Sequence, residues 1–405
     1  MKIVKLIESN FEIIHARYIG KYVIAQLGLL VISPFLSRIY NPSDLAIASI
    51  FYTVTSILGS TSTLSLENSI LIEQEDKKII NGFYLSLASC FVFSLLLILF
   101  PYKSTLLNLI IDFNFENKFI IYLFPLSVIL LGIYNSSRLL VIRSSQYNIL
   151  GVSRIILGIL IPLLSIIFGI NSFSYKGIIY SYLIGLFTVN LYILIGLFFK
   201  NKIQFKKLNF QIIGRLFSNH SKLIKWTMPS NLVSNFTASL PILFIGHFYG
   251  SELLGKYELA YRAIYFPLGI MISSFKDIFK EKITQEILKY GNCINTFNSF
   301  INILIRIAIF FLLPILIVFP FCFQFVFGEQ WAEGGYLIQI MFLLICINFI
   351  SSPLSITLIV CNRQKSDFIW QVAFCLTTSL SFLIPKNIFN LDIKSCLFIY
   401  STISF

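Results

Sequence analysis

The sequence predicts an all-α polytopic membrane protein of about twelve transmembrane helices, and three observations carry that prediction. Hydrophobic residues make up 57% of the 405-residue chain and charged residues 12%, about half of the ~25% charged share of a soluble domain. Mean hydropathy is +0.84. Apolar segments recur along the chain, each near the ~20 residues that a helix needs to cross hydrocarbon. The connections between them are short, and lipid offers backbone groups no partner, so such segments form an antiparallel helical bundle. A soluble fold and a separate catalytic domain are both excluded.

The expected spans are about 18–39, 44–65, 82–101, 119–137, 152–170, 178–199, 226–248, 255–275, 298–321, 336–359, 367–385 and 395–405. The first is a retained anchor: residues 1–17 carry Glu8 and Glu12 and lack an apolar core followed by a small-residue cleavage site. The second and eighth begin beside natural N-caps, Ser43 or Asp44 and Ser251. The third, fifth, seventh, ninth and eleventh follow basic stretches, among them Lys77–Lys78, Arg143, Lys200–Lys225, Lys276–Lys289 and Arg363–Lys365. Of the 31 basic residues, 21 fall in these loops and the amino terminus, seven in the opposite loops, and Lys21, Arg262 and Arg306 inside spans. That bias places the amino terminus in the cytoplasm. It also accounts for the net charge of +13 without a nucleic-acid partner. The twelfth span has about eleven residues before Phe405, so it reads as an incomplete helix.

The longest connection divides the chain into an amino-terminal six-helix lobe (1–199), a basic cytoplasmic linker (200–225) and a carboxy-terminal six-helix lobe (226–405). Six crossings return the chain to the same side, so the lobes are expected as parallel repeats with substrate between them. A trace of symmetry agrees: Pro34 then Tyr40-Asn41-Pro42-Ser43-Asp44-Leu45 closes the first span, and Pro241 then Tyr249-Gly250-Ser251-Glu252-Leu253 the seventh. Helix corners reusing the same turn residues would give the same trace. The linker suits anionic membrane lipids, although topology alone explains its charge.

Chemistry must come from polar groups inside spans. Ser49, Tyr52, Thr53, Ser56, Ser60 and Thr63 recur along the second span, and Thr227, Ser230, Asn231, Ser234 and Asn235 along the seventh. Such stripes either glue helices together, at under ~2 kcal/mol each, or line a hydrated cavity that holds a hydroxyl-rich sugar. Charges discriminate better, because burying one in hydrocarbon costs about 2.5–3.5 kcal/mol on insertion scales. Arg262 lies deep in the eighth span with Glu258 one turn before it, the favourable acid-first spacing. The pair is either a structural ion pair or a guanidinium offered to an anionic substrate, with Glu258 neutralising the empty site. Arg306 in the ninth span suits packing or snorkelling. Lys21 lies about one turn inside the first, where snorkelling and substrate contact are both open. Seven cysteines and three histidines show neither a disulfide framework nor ligand spacing, so neither metal nor cofactor is expected.

At these residues the chain resembles a known family. The run Phe35-Leu36-Ser37-Arg38-Ile39-Tyr40-Asn41-Pro42-Ser43-Asp44-Leu45, the start Trp226-Thr227-Met228-Pro229-Ser230-Asn231, the segment Leu254-Gly255-Lys256-Tyr257-Glu258-Leu259-Ala260-Tyr261-Arg262-Ala263 with Pro267, and Ser351-Ser352-Pro353-Leu354 followed by Asn362-Arg363-Gln364-Lys365 resemble the bacterial oligosaccharide (O-antigen) flippases. These belong to the multidrug/oligosaccharidyl-lipid/polysaccharide exporter superfamily. The resemblance covers nearly the whole chain. It implies two six-helix lobes around a cationic cavity in the bacterial inner membrane, and passage of an undecaprenyl-diphosphate-linked oligosaccharide from the cytoplasmic to the periplasmic leaflet by alternating access, with no bond made or broken. It also implies a polysaccharide polymerase and a chain-length regulator as partners. Arg262 is the first residue carried over, with Lys21, Arg306, Asn231, Asn235 and Ser56 as further substrate-binding candidates and Glu258 as ion-pair or coupling partner. The short twelfth span departs from the family, whose members continue past a complete helix. A drug/cation antiporter of the superfamily would bind cationic substrate and need buried carboxylates for ion coupling, whereas Glu258 alone lies well within a span and Asp44 and Glu67 sit at span ends. A membrane polymerase would need a catalytic periplasmic loop, and the longest outward loop, about 102–118, offers only Asp112 and Glu116.

Overall fold

A computed structural model describes residues 2–99, 119–144, 146–199, 210–221, 223–360 and 364–403. The outward loop with Asp112 and Glu116, linker residues 200–209 and Lys222, the segment 361–363 and the last two residues lie outside the described residues. Regular structure among the described residues is helical throughout. In chain order the helices are α1 Lys2–Ile39, α2 Pro42–Ser62, α3 Asp76–Leu99, α4 Phe119–Arg143, α5 Tyr147–Ile170, α6 Ser174–Phe199 and α7 Phe210–Asn219. There follow α8 Leu223–Tyr249, α9 Ser251–Tyr290, α10 Ile294–Phe327, α11 Ala332–Ile340, α12 Phe342–Leu354, α13 Gln364–Asn387 and α14 Ile393–Ile403.

Where they are described, the expected spans overlap these helices, but the structure does not give twelve separate spans by length and hydropathy. The tenth falls on the pair α11 and α12, and α9, which holds the eighth, is not among the helices that pass. Among the described residues eight helices are long and apolar enough to cross a membrane, and α11 with α12 makes a ninth if that pair, bent by 58°, is one span. The apolar parts of α1 (Val23–Ile39) and α14 (Ile393–Ile403) are shorter. Helix α9 joins the expected eighth span to a charged extension from Lys276 to Lys289. Outward-facing side chains fit lipid: Phe310, Phe321 and Phe325 of α10 are 80%, 67% and 92% exposed, an apolar surface that water would drive into association. The chain is thus a multi-pass membrane protein.

Prolines shape several of these helices. Three π-helical turns, Ile156–Leu160, Leu223–Thr227 and Ala308–Leu312, each end two residues before a proline, Pro162, Pro229 and Pro314. Proline cannot donate to the carbonyl four residues back and its ring crowds that carbonyl. Widening the preceding turn relieves both, which is the usual origin of a π-bulge kink.

The chain folds as two compact units, Met1–Tyr40 with Ile47–Asn235, and Asn41–Ala46 with Phe236–Phe405. In the first, α4 is glued to three neighbours through buried polar contacts. Thr55 and Ser127 share a 2.9 Å hydrogen bond, Ser86 donates to Ser136 at 2.9 Å, and Asn190 donates to the Leu130 carbonyl at 2.8 Å. Tyr52 of the second-span stripe likewise donates across to the Ile178 carbonyl at 3.0 Å. The linker helix α7 buries Leu216 against Leu66 and Leu85, and His220 Nε2 just beyond it lies 2.9 Å from Glu73 Oε1.

Corresponding corners close each unit. Tyr40 Oη donates to the Ser165 carbonyl at 2.6 Å, and Tyr249 Oη donates to the Leu391 carbonyl at 3.1 Å. Both tyrosines of the repeated Tyr-turn pattern therefore pin the end of their own helix to a later helix corner of the same unit.

In the second unit the charged end of α9 stops at Gly291, whose φ of 72° suits glycine. The Glu286 carboxylate accepts the backbone N–H groups of Asn295 at 3.2 Å and Thr296 at 2.8 Å, capping α10 from outside. Hydrogen bonding from Thr296 holds this carboxyl below its ordinary value. A depressed pKa stabilises the corner above the unfolded value and is lost as pH falls through the folded one. Protection of the Asn295 and Thr296 amides, measured against their intrinsic exchange rates, is therefore expected to fall on acidification below the ordinary glutamate range. Glu286→Gln should exchange fast at neutral pH and show no such step.

Candidate functional site

Helix α9 carries the chemistry. It starts after Gly250, whose φ of 87° lets the chain turn sharply out of α8, and its apolar half buries Leu254, Leu259, Ala260 and Ile264. With the core face defined, positions 258 and 262 fall one above the other on the helix. Arg262 Nε donates to Glu258 Oε1 at 2.7 Å; the carboxylate side chain is 8% exposed and the arginine side chain 32%. The other carboxylate oxygen, Oε2, is buried with no hydrogen-bond partner. A carboxylate buried to this degree persists only because a cation compensates it, so the pair is neutral overall. Its cationic member is the more accessible one.

On the adjoining stripe stand Tyr257, Tyr261 and Tyr265, whose rings stack successively at centroid distances of 5.7 Å and 4.0 Å. Together with Thr237, Asn348 and Tyr400 they line a cavity of about 140 Å³ inside the second unit. The sequence reasoning passed over these tyrosines, although their i, i+4, i+8 spacing beside Glu258 and Arg262 was the available signal.

The remaining candidates occupy separate places. Lys21 of α1 hydrogen-bonds through Nζ to Asn148 Oδ1 of α5. Its aliphatic chain passes over Gly151, where a Cβ would stand 2.7 Å from Lys21 Cδ. Asn231 Nδ2 donates to Ser65 Oγ at 3.3 Å, Asn235 is partly buried and Ser56 is exposed. Arg306 is exposed on α10 amid Ile303, Ile305, Ile309 and Phe310, all exposed as well. Direct contacts thus unite Glu258 with Arg262, Lys21 with Asn148 and Asn231 with Ser65.

A partly buried acid, Glu67, lies where the sequence placed only the end of the second span. Helix α2 stops at Ser62, and Leu64 and Ser65 take left-handed φ values of 53° and 57°. Ser62 Oγ lies 3.4 Å from Cys90 Sγ, fourteen residues along α3, so the chain leaves its helix well inside the bundle. Non-helical backbone at such depth is tolerated only when buried in protein or lining a cavity. Here Thr63, Ser65, Leu66 and Ser69 are all 0% exposed. Glu67 sits in this segment with its Oε2 buried and unpartnered, and the Arg138 guanidinium of α4 acts on it electrostatically.

Known proteins agree with this architecture. Residues 35–334 match the family described as "Polysaccharide biosynthesis protein". The teichuronic acid biosynthesis protein TuaB of Bacillus subtilis (strain 168) is 24% identical over 159 residues, 38% of this chain and 32% of that protein; the match spans about a third of the relative's length. Among solved structures, the lipid II flippase MurJ in an inward closed conformation aligns with a TM-score of 0.67 at 16% identity, over 95% of this chain and 84% of that one. An inward-facing multidrug resistance MATE family transporter of the MOP superfamily aligns with a TM-score of 0.63 at 12% identity, over 95% and 91%. The chain belongs to the polysaccharide biosynthesis protein family, and it shares its helical membrane fold with the MATE transporter and the lipid II flippase MurJ.

Proposed function

We propose that this protein is a flippase that moves an undecaprenyl-diphosphate-linked oligosaccharide, an O-antigen or capsule repeat unit, from the cytoplasmic to the periplasmic leaflet of the bacterial inner membrane by alternating access. The observation that carries this is the Glu258–Arg262 pair. A buried carboxylate holds a guanidinium in place, and the guanidinium is the member left within reach. A diphosphate crosses hydrocarbon only with its charge compensated, and arginine offers it paired donors in a fixed fork. Substrate arrival exchanges the carboxylate for the diphosphate as the anion beside Arg262. The polyprenyl tail stays in lipid. No bond is made or broken, in keeping with fold relatives that are transporters and flippases.

The antiporter reading is weaker on a specific observation. A cation exporter needs buried acids without a local counter-charge, and the buried acid of this site, Glu258, is ion-paired with Arg262.

The test is transport in proteoliposomes loaded with a fluorescent undecaprenyl-diphosphate oligosaccharide, read by quenching with a membrane-impermeant reagent. Protein-dependent loss of the protected fraction is expected. Equal protection with and without protein, together with ion-driven efflux of a cationic dye, would replace this reading with the antiporter. Orientation is tested by reporter fusions, with cytoplasmic signals expected after Asn81 and Lys289 and periplasmic ones after Ser172 and Ser251; reversal at two of these sites overturns the assigned orientation.

A further inference from the structure

We infer that the cavity inside the second unit is a subsite for a single pyranose ring of the carried glycan, held by hydroxyls and an apolar wall and not by charge. This rests on the flippase reading and adds a recognition element to it.

The chemistry of the walls carries the inference. Tyr257, Tyr261 and Tyr265 present a continuous ladder of rings along one face of α9, the last two stacked at 4.0 Å and 22°. Asn348 of α12 donates to Tyr265 Oη at 3.4 Å, which fixes the position of the outermost hydroxyl. Tyr257, Tyr261 and Tyr400 line the same space, their hydroxyls with no hydrogen bond among the described residues, and Ala238, Pro241, Ile242, Met341, Leu344 and Phe374 supply an apolar wall. Each phenol keeps one donor and acceptor capacity that a guest, water or ligand, with its own hydroxyls can meet. No Asp, Glu, Lys, Arg or His lines the cavity among the described residues, which excludes the diphosphate from it. Its volume of about 140 Å³ suits one six-membered ring and not a chain of them. A pyranose matches both halves of this surface, with an apolar C–H face for the wall of Ile242, Met341, Leu344 and Phe374 and hydroxyls for the phenols and the amide. An organic cation would also meet the ring faces but would leave the hydroxyls and Asn348 unanswered.

The experiment uses the full-length protein in lipid nanodiscs, with the lipid-free repeat unit and a panel of free hexoses and N-acetylhexosamines as probes. Saturation-transfer NMR is expected to show at least one sugar binding, with saturation confined to one ring. Tyr261→Phe and Tyr400→Phe, which keep the rings and so the packing, are each expected to weaken that binding about 5- to 10-fold, the effect of one lost hydrogen bond. Hydroxyl-radical footprinting of the wild-type protein, which needs no variant, should show Tyr261 and Tyr265 protected by the same sugar. The inference is overturned if no sugar in the panel binds, if both Phe variants bind as wild type, or if rhodamine-type cations protect the tyrosines while sugars do not. The first two results leave the flippase reading intact wherever the proteoliposomes still translocate the lipid-linked substrate. The third removes both.

Discussion

Arg262→Ala is expected to leave the lipid-linked oligosaccharide stranded on the cytoplasmic leaflet, with translocation in proteoliposomes falling by roughly 10- to 100-fold. Hydrogen bonds to a charged group contribute about 1.5–3 kcal/mol, and each 1.4 kcal/mol is a factor of ten. Arg262→Lys should keep only part of the rate, because a point charge replaces a bidentate fork. A purely structural pair behaves differently. Removing either partner of a buried ion pair leaves an uncompensated charge at a cost of about 3–5 kcal/mol, discounted here because the Arg262 side chain is 32% exposed. On that view the loss is of abundance, and Glu258→Gln with Arg262→Gln, which removes both charges together, restores abundance and transport alike. On the substrate view the double variant accumulates normally and stays inactive. Membrane abundance and flipping rate, measured on the four proteins side by side, decide the matter, and full transport by the double variant would sink the substrate role.

The local character of this pair explains why it was visible in the sequence at all. Residues four apart on a helix are neighbours whatever the tertiary structure does, and hydropathy reports lipid partitioning directly, so the spans and Glu258–Arg262 could be read without a fold. Contacts between distant segments could not. Lys21 meets Asn148 across 127 residues, a distance over which one sequence carries no signal. The tyrosine stripe was present as a periodicity, but it becomes a cavity only when Asn348 and Tyr400 arrive from α12 and α14. The buried segment after Ser62 was hidden for another reason. Left-handed backbone usually announces itself through glycine or asparagine, whereas here Leu64 and Ser65 adopt it, so Glu67 was assigned to a span end. The prolines that follow the three π-helical turns were plain in the sequence, yet Pro34 and Pro125 lie within continuous α-helix, so proline alone does not tell a widened turn from a regular one.

Gly255→Val is expected to have the largest effect on accumulation of any single change in α9. A Cβ at this position would collide with the backbone carbonyl of Pro42, and on the other side of the same helix segment a Cβ at Gly334 would collide with the carbonyl of Lys256. Both obstacles are main-chain atoms, which cannot rotate aside as a side chain can. Helix α9 is therefore seated between two backbones at a distance that only hydrogen permits, the close approach that small residues allow between membrane helices. A valine at 255 must push the segment Asn41–Ala46 away from α9, breaking contact along the whole face. Overpacking of a well-packed site costs about 1–3 kcal/mol or more, and a displacement of backbone belongs at the upper end. Gly269, on the same helix, has nothing within 4 Å of its would-be Cβ. There alanine should be neutral or stabilising by about 0.5–1 kcal/mol, since it removes glycine's backbone freedom from a helix interior. Melting temperature in detergent and membrane abundance provide the readout. A Gly255→Val protein that melts within about 2 °C of wild type, a shift worth under ~1 kcal/mol, would show that α9 is not clamped in this way. If the clamp holds, it has a functional consequence: the helix that presents Glu258, Arg262 and the tyrosine ladder is fixed in register by glycines at its flank. A milder Gly255→Ala should then lower transport before it lowers abundance, because a small shift misplaces the guanidinium while leaving the fold intact.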